Sequence, residues 1–365
     1  MDAASPPGIV TNVGMVARSI GVGVALLALG CARATPDAPL STAERSALPG
    51  AIYFLRGDEA PQLLRLALGT GEITPITEVG PAAFLSELAP DRRGLALTLD
   101  DQLVLTRADG QEPKVLAPSE GLAWYPRFSP DGKVVLFESS RASFRDLYLI
   151  ELGTGLVKRL TDNSEGNFDG VWSPDGKQIA FASSRHGQLD LFVMNADGSE
   201  PRRLTRHPGD SVKPLWSPDG RQLAFLSGRD GRDDLLLVPA QGGEVVSVSG
   251  SVTGRDHQGA FVERYHFTPN GQSLVYSVRT PKRGSKIWIW EASTGQSRRL
   301  SGEAHDDTDP ALSPDGAHLV FTSKHQGRSG IWLMQIDGRK RTRLTEDGGA
   351  WLPRWLEVVE GREDS

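Results

Sequence analysis

The sequence contains very little cysteine: Cys31 is the only one among 365 residues. A chain with one cysteine cannot form an intramolecular disulfide, and it cannot build a zinc site from cysteine thiolates. We therefore expect a folded body that is stabilised by packing and hydrogen bonds.

Long runs of basic and of apolar residues are also missing. The formal net charge is −6 at pH 7, and without a basic cluster we do not expect nucleic acid as a partner. The apolar segment 20–29 has the length of a signal-peptide core and is too short to span a bilayer.

Residues 1–30 are predicted to be a lipoprotein signal peptide. Arg18 precedes the apolar segment 20–29, and small residues lead up to Cys31. This arrangement resembles the lipobox of bacterial lipoproteins, which implies cleavage before Cys31 and lipidation of its thiol and new amino group. The alternatives are an ordinary secretory signal with an unrelated cysteine, and a true start at Met15.

Residues 31–50 are predicted to be a flexible tether, because they are rich in Ala, Pro, Ser and Thr and show no apolar periodicity. Ala32 follows Cys31, where an aspartate would favour retention at the inner membrane in many Gram-negative bacteria. We therefore expect a periplasmic, lipid-anchored protein at the outer membrane. Residues 358–365 are predicted to be a disordered tail.

Residues 51–357 form a repeat. Ser-Pro-Asp-Gly and its variants begin at residues 89, 129, 173, 217, 268 and 313, about 44 residues apart, which is the size of a propeller blade. Proline and Asp-Gly set a tight turn, and alternating apolar residues on both sides predict four strands for each copy. The fold class is therefore all-β.

Seven second strands can be counted, so we predict a seven-bladed β-propeller. A six-bladed ring is the alternative if the weak unit 83–116 is not a blade. No first strand precedes residue 52, whereas residues 351–356 have no blade after them. We expect this C-terminal strand to pair with the N-terminal blade and close the ring, which removes exposed strand edges.

The repeated segments SPDG, SSR, DLFVMNADG and RRLT resemble the propeller repeats of the TolB family, which also occur in prolyl oligopeptidases. The resemblance covers residues 51–356 and implies a TolB-like lipoprotein without the N-terminal α/β domain of TolB. TolB proteins are periplasmic and bind envelope proteins, so the resemblance implies an envelope protein or peptide as partner.

Motifs of hydrolytic enzymes are missing. The sequence has no Gly-x-Ser-x-Gly elbow and no His-Glu-x-x-His motif, and few residues follow the last repeat. We therefore expect no catalytic residues, no cofactor and no metal, and a chain that is not an enzyme. The alternative is a metal-dependent enzyme at the pore, such as a sugar lyase, in which His257, His266 and His305 could converge. The acidic segment 305–309 is expected to be a solvated loop and not a calcium site.

Two sets of residues recur in the repeat. Arginine and aspartate stand five residues apart across the hairpin tips, which predicts salt bridges at Arg141–Asp146, Arg185–Asp190 and Arg229–Asp234. Aromatic residues recur at one position and are expected to pack between blades; they are Phe128, Trp172, Trp216, Phe267 and Trp355.

One position of the repeat holds different residue types in different copies, whereas the core positions hold similar residues in all copies. Three residues before each recurring aromatic position stand Tyr125, Asp169, Lys213, Arg264 and Asp309. Varied charge at the end of a propeller channel is typical of a recognition surface, so we expect these residues to bind the partner. We expect an envelope-anchored, monomeric propeller that binds a protein or peptide; a purely structural module is a further alternative.

Overall fold

The computed structural model describes residues 40–57, 61–76, 84–99, 101–116, 122–142, 144–163, 165–229, 232–253, 260–325, 327–345 and 348–356. Cys31, the predicted signal peptide and the predicted tail lie outside them, as does His257. The described residues form 28 strands and two short helices, so the all-β prediction is confirmed. No helix among the described residues has the length and apolar character needed to cross a membrane.

The two helices and the strands of the first half are α1 (Thr42–Ser46), α2 (Gly250–Thr253), β1 (Ala51–Arg56), β2 (Gln62–Ala67), β3 (Ile73–Pro75), β4 (Phe84–Leu88), β5 (Gly94–Leu99), β6 (Gln102–Arg107), β7 (Lys114–Val115), β8 (Ala123–Phe128), β9 (Val134–Ala142), β10 (Phe144–Glu151), β11 (Val157–Arg159), β12 (Asn167–Trp172), β13 (Gln178–Ser183), β14 (Asp190–Asn195) and β15 (Arg202–Arg203). The remaining strands are β16 (Ser211–Trp216), β17 (Gln222–Arg229), β18 (Arg232–Pro239), β19 (Val246–Ser247), β20 (Phe261–Phe267), β21 (Ser273–Thr280), β22 (Gly284–Glu291), β23 (Gln296–Arg299), β24 (Asp306–Leu312), β25 (His318–His325), β26 (Arg328–Gln335), β27 (Thr342–Arg343) and β28 (Ala350–Leu356).

Consecutive strands pair in sets of four. Sheet I has the order β28-β1-β2-β3, and sheets II (β4–β7), III (β8–β11), IV (β12–β15) and VII (β24–β27) follow the chain order. Sheets V (β16–β19) and VI (β20–β23) are the halves of one eight-stranded sheet, joined by the single parallel pair Asp233–Phe261. In each set of four the first strand (β28, β4, β8, β12, β16, β20 or β24) lies at one edge of the set.

Sheet I contains both ends of the repeat. Strand β28 pairs antiparallel with β1, with Ala51 opposite Leu356 and Arg56 opposite Ala350. The indole Nε1 of Trp355 donates to the Pro49 carbonyl oxygen over 2.8 Å. The pairing of the C-terminal strand with the N-terminal sheet is therefore present as predicted.

The Ser-Pro-Asp-Gly turn is stabilised by hydrogen bonds between its own residues. Ser129 Oγ donates to Asp131 Oδ1 over 2.6 Å, and Lys133 N donates to the same oxygen over 3.1 Å. These hydrogen bonds lower the pKa of Asp131. Gly132 has φ +70°, and a Cβ there would lie 3.4 Å from Cδ of Pro90 in the preceding copy. Each turn therefore touches its neighbour, and its last position takes glycine because of the left-handed backbone.

Seven hydrophobic clusters of described residues hold the sheets together, and six of them contain residues of two sheets that follow one another in the order I to VII. The remaining cluster joins Ile52 and Phe54 of sheet I to Val320 and Ile331 of sheet VII. Leu40 and Leu48, on either side of helix α1, pack against it. The recurring aromatic residues lie in or against these clusters, as predicted.

The predicted salt bridges at the hairpin tips are wrong in their partners. Asp146 and Asp190 are fully buried, and each pairs with an arginine of the fourth strand of its sheet: Arg159 Nη2 lies 2.6 Å from Asp146 Oδ2, and Arg203 Nη2 lies 2.5 Å from Asp190 Oδ2. The fourth strand runs beside the third, and this places the arginine next to the carboxylate.

The hairpin arginines contact aromatic rings instead. The guanidinium of Arg185 lies 4.6 Å from the Phe192 ring centroid, and that of Arg141 lies 5.0 Å from the Tyr148 ring centroid. A cation over an aromatic face is a favourable contact of about 0.5–2 kcal/mol. The side chain of Arg229, the third predicted partner, lies outside the described residues.

Candidate functional site

Each first strand carries a bulge. In β8 the pairing with β9 shifts between Trp124 and Arg127, and similar shifts occur in the first strands of the other six sheets. A bulge bends the strand and directs a side chain away from the sheet.

The five residues predicted to bind a partner all lie at or beside these bulges. Four of them have a left-handed backbone although they are not glycine: Tyr125 (φ 52°), Asp169 (φ 56°), Lys213 (φ 54°) and Asp309 (φ 52°). Such a backbone costs of order 1–3 kcal/mol and occurs often at functional sites. Leu352 of β28 (φ 54°) occupies the same position, and counting back three residues from Trp355 would have found it.

Hydrogen bonds and an ion pair connect these residues to neighbouring sheets. Lys213 N donates to Asp169 Oδ2 over 3.0 Å, and Arg264 Nε lies 3.5 Å from Asp309 Oδ1. The two carboxylates therefore join first strands, whereas the side chains of Tyr125 and Lys213 are exposed to solvent. That these five residues bind a partner stays a prediction.

Two residues further along the first strands lies a second set of varied side chains, which the sequence analysis missed. Glu87, Arg127, His266 and Arg354 belong to β4, β8, β20 and β28, and each is close enough to others of the set to affect their pKa values. The sequence could have revealed this set, because the residue type at this position also differs from one copy of the repeat to the next.

This set carries more positive than negative charge, because it contains two arginines, one glutamate and one histidine. Burial, with the charges of Arg354, Arg264 and Arg127, lowers the pKa of His266 to about 3, so the imidazole is neutral at pH 7. Burial also lowers the pKa of Arg354 to about 10, and Arg264 and Arg127 act in the same direction. Burial raises the pKa of Glu87, against the effect of Arg127. We use the name first-strand charge cluster for six residues together: Glu87, Arg127, His266, Arg354, Arg264 and Asp309.

Two atoms of the cluster are buried without a hydrogen-bond partner among the described residues: Nε2 of His266 and Nη1 of Arg354. By contrast, Glu87 Oε2 accepts a hydrogen bond from Phe128 N over 2.9 Å. Buried polar atoms are nearly always paired in folded proteins, so such exceptions call for an explanation.

A cleft of about 570 Å³ lies between sheets V and VI, and its lining includes Glu263, which directly precedes Arg264 of the cluster. Its apolar wall includes Val212, Leu226 and Phe261, and its rim includes Lys213 and Glu263. The Phe261 side chain is 40% exposed. A cleft with an apolar wall and a charged rim is suited to hold an extended segment of a partner.

The predicted histidine site is only partly described. His266 lies in the cluster, whereas the His305 ring packs at 4.7 Å against His325, and His257 lies outside the described residues. In the acidic segment 305–309, Asp307 binds Arg341 Nη2 over 2.9 Å. Within the described part of the chain, no three His, Cys, Asp or Glu side chains are placed to hold a metal ion.

Residues 98–358 match the family described as the TolB beta propeller domain. The chain belongs to this family. Among curated relatives, an uncharacterized protein of Agrobacterium fabrum is 32% identical over 90 residues, which is 24% of this chain and 30% of the relative. The uncharacterized peptidase YuxL of Bacillus subtilis is 32% identical over 96 residues, which is 24% of this chain and 15% of the peptidase. The matches thus span less than a third of either relative.

Solved structures share the fold at low identity. TolB from Acinetobacter baumannii has a TM-score of 0.53 at 20% identity, with 89% of this chain and 88% of that chain covered. Oligogalacturonate lyase in complex with manganese has a TM-score of 0.62 at 17% identity, covering 76% and 83%. Puromycin hydrolase has a TM-score of 0.64 at 17% identity, covering 86% and 57%.

These comparisons contradict the expectation that this TolB-like propeller is not an enzyme. The fold is shared with a lyase and a hydrolase, and one relative is named as a peptidase. The expectation rested on missing hydrolase motifs and on a repeat that specifies the fold. A fold does not determine chemistry, which depends on the particular side chains of a site.

The buried carboxyl of Glu138 gives a pH-dependence that can be tested. Glu138 Oε1 accepts a hydrogen bond from Asp169 N over 2.7 Å. Burial, with the nearby Asp169 charge, raises the pKa of Glu138 to about 7. The folded state therefore binds this proton more tightly than the unfolded chain, and the free energy of unfolding falls as pH rises from about 4.5 to 7. The loss from this group is roughly 2–3 kcal/mol.

We expect Glu138→Gln, which keeps an acceptor oxygen for Asp169 N, to gain stability relative to wild type at pH 8 but not at pH 4.5. The measurement is urea unfolding at both pH values, with the exposed Glu151→Gln as control. Equal pH-dependence in wild type and Glu138→Gln would show that the carboxyl is ionised without penalty in the folded protein.

Proposed function

We propose that sheets I–VII are seven blades of one closed ring. The β28–β1 pairing and the hydrophobic cluster between sheets VII and I support closure. Tyr265 Oη donates to the Lys213 carbonyl oxygen and so links β20 to β16, and the charge of Arg354 in β28 acts to lower the pKa of Glu87 in β4. Sheet II packs against both I and III, which favours seven blades over six. In this ring the first strands line a central channel.

The function that this geometry supports best is recognition of a protein or peptide segment at the channel end that carries the hairpin tips. The observation that carries the proposal is the cleft between sheets V and VI beside the varied first-strand residues. Phe261 in the cleft and Tyr125 at a bulge, which is 46% exposed, offer apolar contact area. Lys213, Arg264 and the nearby carboxylates supply charge that can select a partner.

Photo-crosslinking in native cells tests this proposal. Replacing Tyr125 or Phe261 by benzoyl-phenylalanine keeps an aromatic side chain and places a reactive group on the proposed face. We expect one discrete crosslinked partner from both positions, and at least a tenfold lower yield when Lys213→Glu is added.

Lys177 on the Pro-Asp-Gly turns is the control position, because its side chain is 79% exposed and lies on the opposite face. Crosslinks of equal yield and pattern from Lys177, or no crosslink from Tyr125 and Phe261, would refute the proposal.

We further propose that the chain is a periplasmic lipoprotein of the outer membrane, anchored through Cys31. The position of the only cysteine after an apolar segment supports this. Metabolic labelling with a palmitate analogue should label the wild type, whereas Cys31→Ser should be unlabelled and leave the membrane fraction. Equal membrane retention of the two proteins would contradict the anchor.

A second candidate function is a lyase that acts on a carboxylate-bearing sugar. A neutral imidazole, His266, lies beside three guanidiniums, and the fold is shared with oligogalacturonate lyase. An arginine would neutralise the substrate carboxylate, and His266 would take the proton from the carbon next to that carboxylate. The glycosidic C–O bond would then break, the departing oxygen would take up a proton from water, and an unsaturated product would remain. The described residues do not form a metal site.

The lyase candidate is tested with oligogalacturonate as substrate. An active enzyme should raise the ultraviolet absorbance of the unsaturated product, and His266→Gln should lower the rate at least a hundredfold. No increase in absorbance with the wild type, with or without added manganese, would eliminate this candidate.

A further inference from the structure

The first-strand charge cluster contains three guanidiniums and two carboxylates, and both carboxylates have a role within the protein. Asp309 pairs with Arg264 over 3.5 Å, and Glu87 accepts from the backbone of Phe128. The charges of Asp309 and Glu87 also act on Arg354 and raise its pKa, but each of these carboxylates has another partner within the protein.

Two buried polar atoms of the cluster are unsatisfied. Nη1 of Arg354 and Nε2 of His266 are both buried without a hydrogen-bond partner among the described residues. A guanidinium stays protonated at neutral pH and can only donate. A neutral imidazole donates when Nε2 carries its proton. Leaving such donors buried and unpaired costs stability, and the two donors lie at the same position of β20 and β28.

We propose that the channel binds the carboxylate group of an anionic ligand, with Arg354 and His266 donating to its two oxygens and Arg127 and Arg264 adding positive charge. The inference rests on the proposed ring, in which these strands face one channel. It needs neither a protein partner nor a catalytic step. Two spare donors match a carboxylate, which has two oxygens, better than a sulfate or phosphate group, which has more oxygens to satisfy.

Two sources of a carboxylate are possible, the C-terminus of a peptide segment and a small organic acid. Either would place negative charge among three positive groups and thereby reduce their mutual repulsion. Ligand binding should therefore stabilise the folded protein.

The test is the thermal unfolding midpoint of the purified chain at constant ionic strength, adjusted with sodium chloride. The probes are acetate, sulfate, a tripeptide with a free C-terminal carboxylate and the same tripeptide with an amidated C-terminus. We expect the midpoint to rise with the free tripeptide or with acetate and not with the amidated peptide or sulfate. A response to acetate identifies a small acid as sufficient, and a response to the tripeptide alone identifies a peptide terminus.

Arg354→Gln should remove this response. Its midpoint without ligand should equal or exceed that of wild type, because one of three mutually repelling charges is gone; a merely structural arginine would instead lower it. Arg221→Gln is the matched control, because this side chain is 84% exposed and lies in a turn on the opposite face, and it should respond as wild type does.

His266→Gln provides a second variant and should weaken carboxylate binding at least tenfold in calorimetry. The proposal is overturned if no carboxylate raises the wild-type midpoint, if sulfate or the amidated peptide acts equally well, or if both Arg354→Gln and His266→Gln bind as wild type does. None of these outcomes depends on crosslinking, so partner recognition can fail while the carboxylate site stands, or the reverse.

Discussion

The burial of both faces of every sheet is the constraint on which this structure depends. Successive side chains of a strand point to opposite faces, and in β13 Ile179 and Phe181 pack toward sheet III whereas Ala180 and Ala182 pack toward sheet V. A sheet that is apolar on both faces needs a neighbour on each side. An open stack would leave two such faces in water, and the cluster between sheets VII and I covers them.

This packing explains where variation is allowed. The second and third strands lie between neighbouring sheets, and the residues in their middle are mainly apolar, so these residues repeat. The first strands have an edge that no strand of their own sheet covers, and the bulges direct some of their side chains away from the clusters. Charges such as Arg127 and Arg354 can differ between copies there without disturbing the packing. The same scaffold can therefore carry different sites, as the comparison with a lyase and a hydrolase illustrates.

The sequence predicted what depends on local chemistry and on the repeat. Turn residues such as Ser129 and Asp131 act within a few positions of each other, and the apolar pattern on both sides of them predicted the strands. The pairing of Asp146 with Arg159 was missed, because it depends on the register of the short fourth strand, and no sequence pattern showed that register. The charge cluster was missed because its members are far apart in the chain and meet only when separate sheets face one another.

The pairing of β28 with β1 also determines how the fold responds to force. Ala51 lies opposite Leu356, so the chain enters and leaves sheet I at the same end of one antiparallel pair. Tension applied between Ala51 and Leu356 would break the hydrogen bonds of this pair one after another, starting at that end. Tension between Ala51 and a residue of another sheet would instead be shared among several sheets. The protein should therefore be mechanically weak along one axis and strong along another.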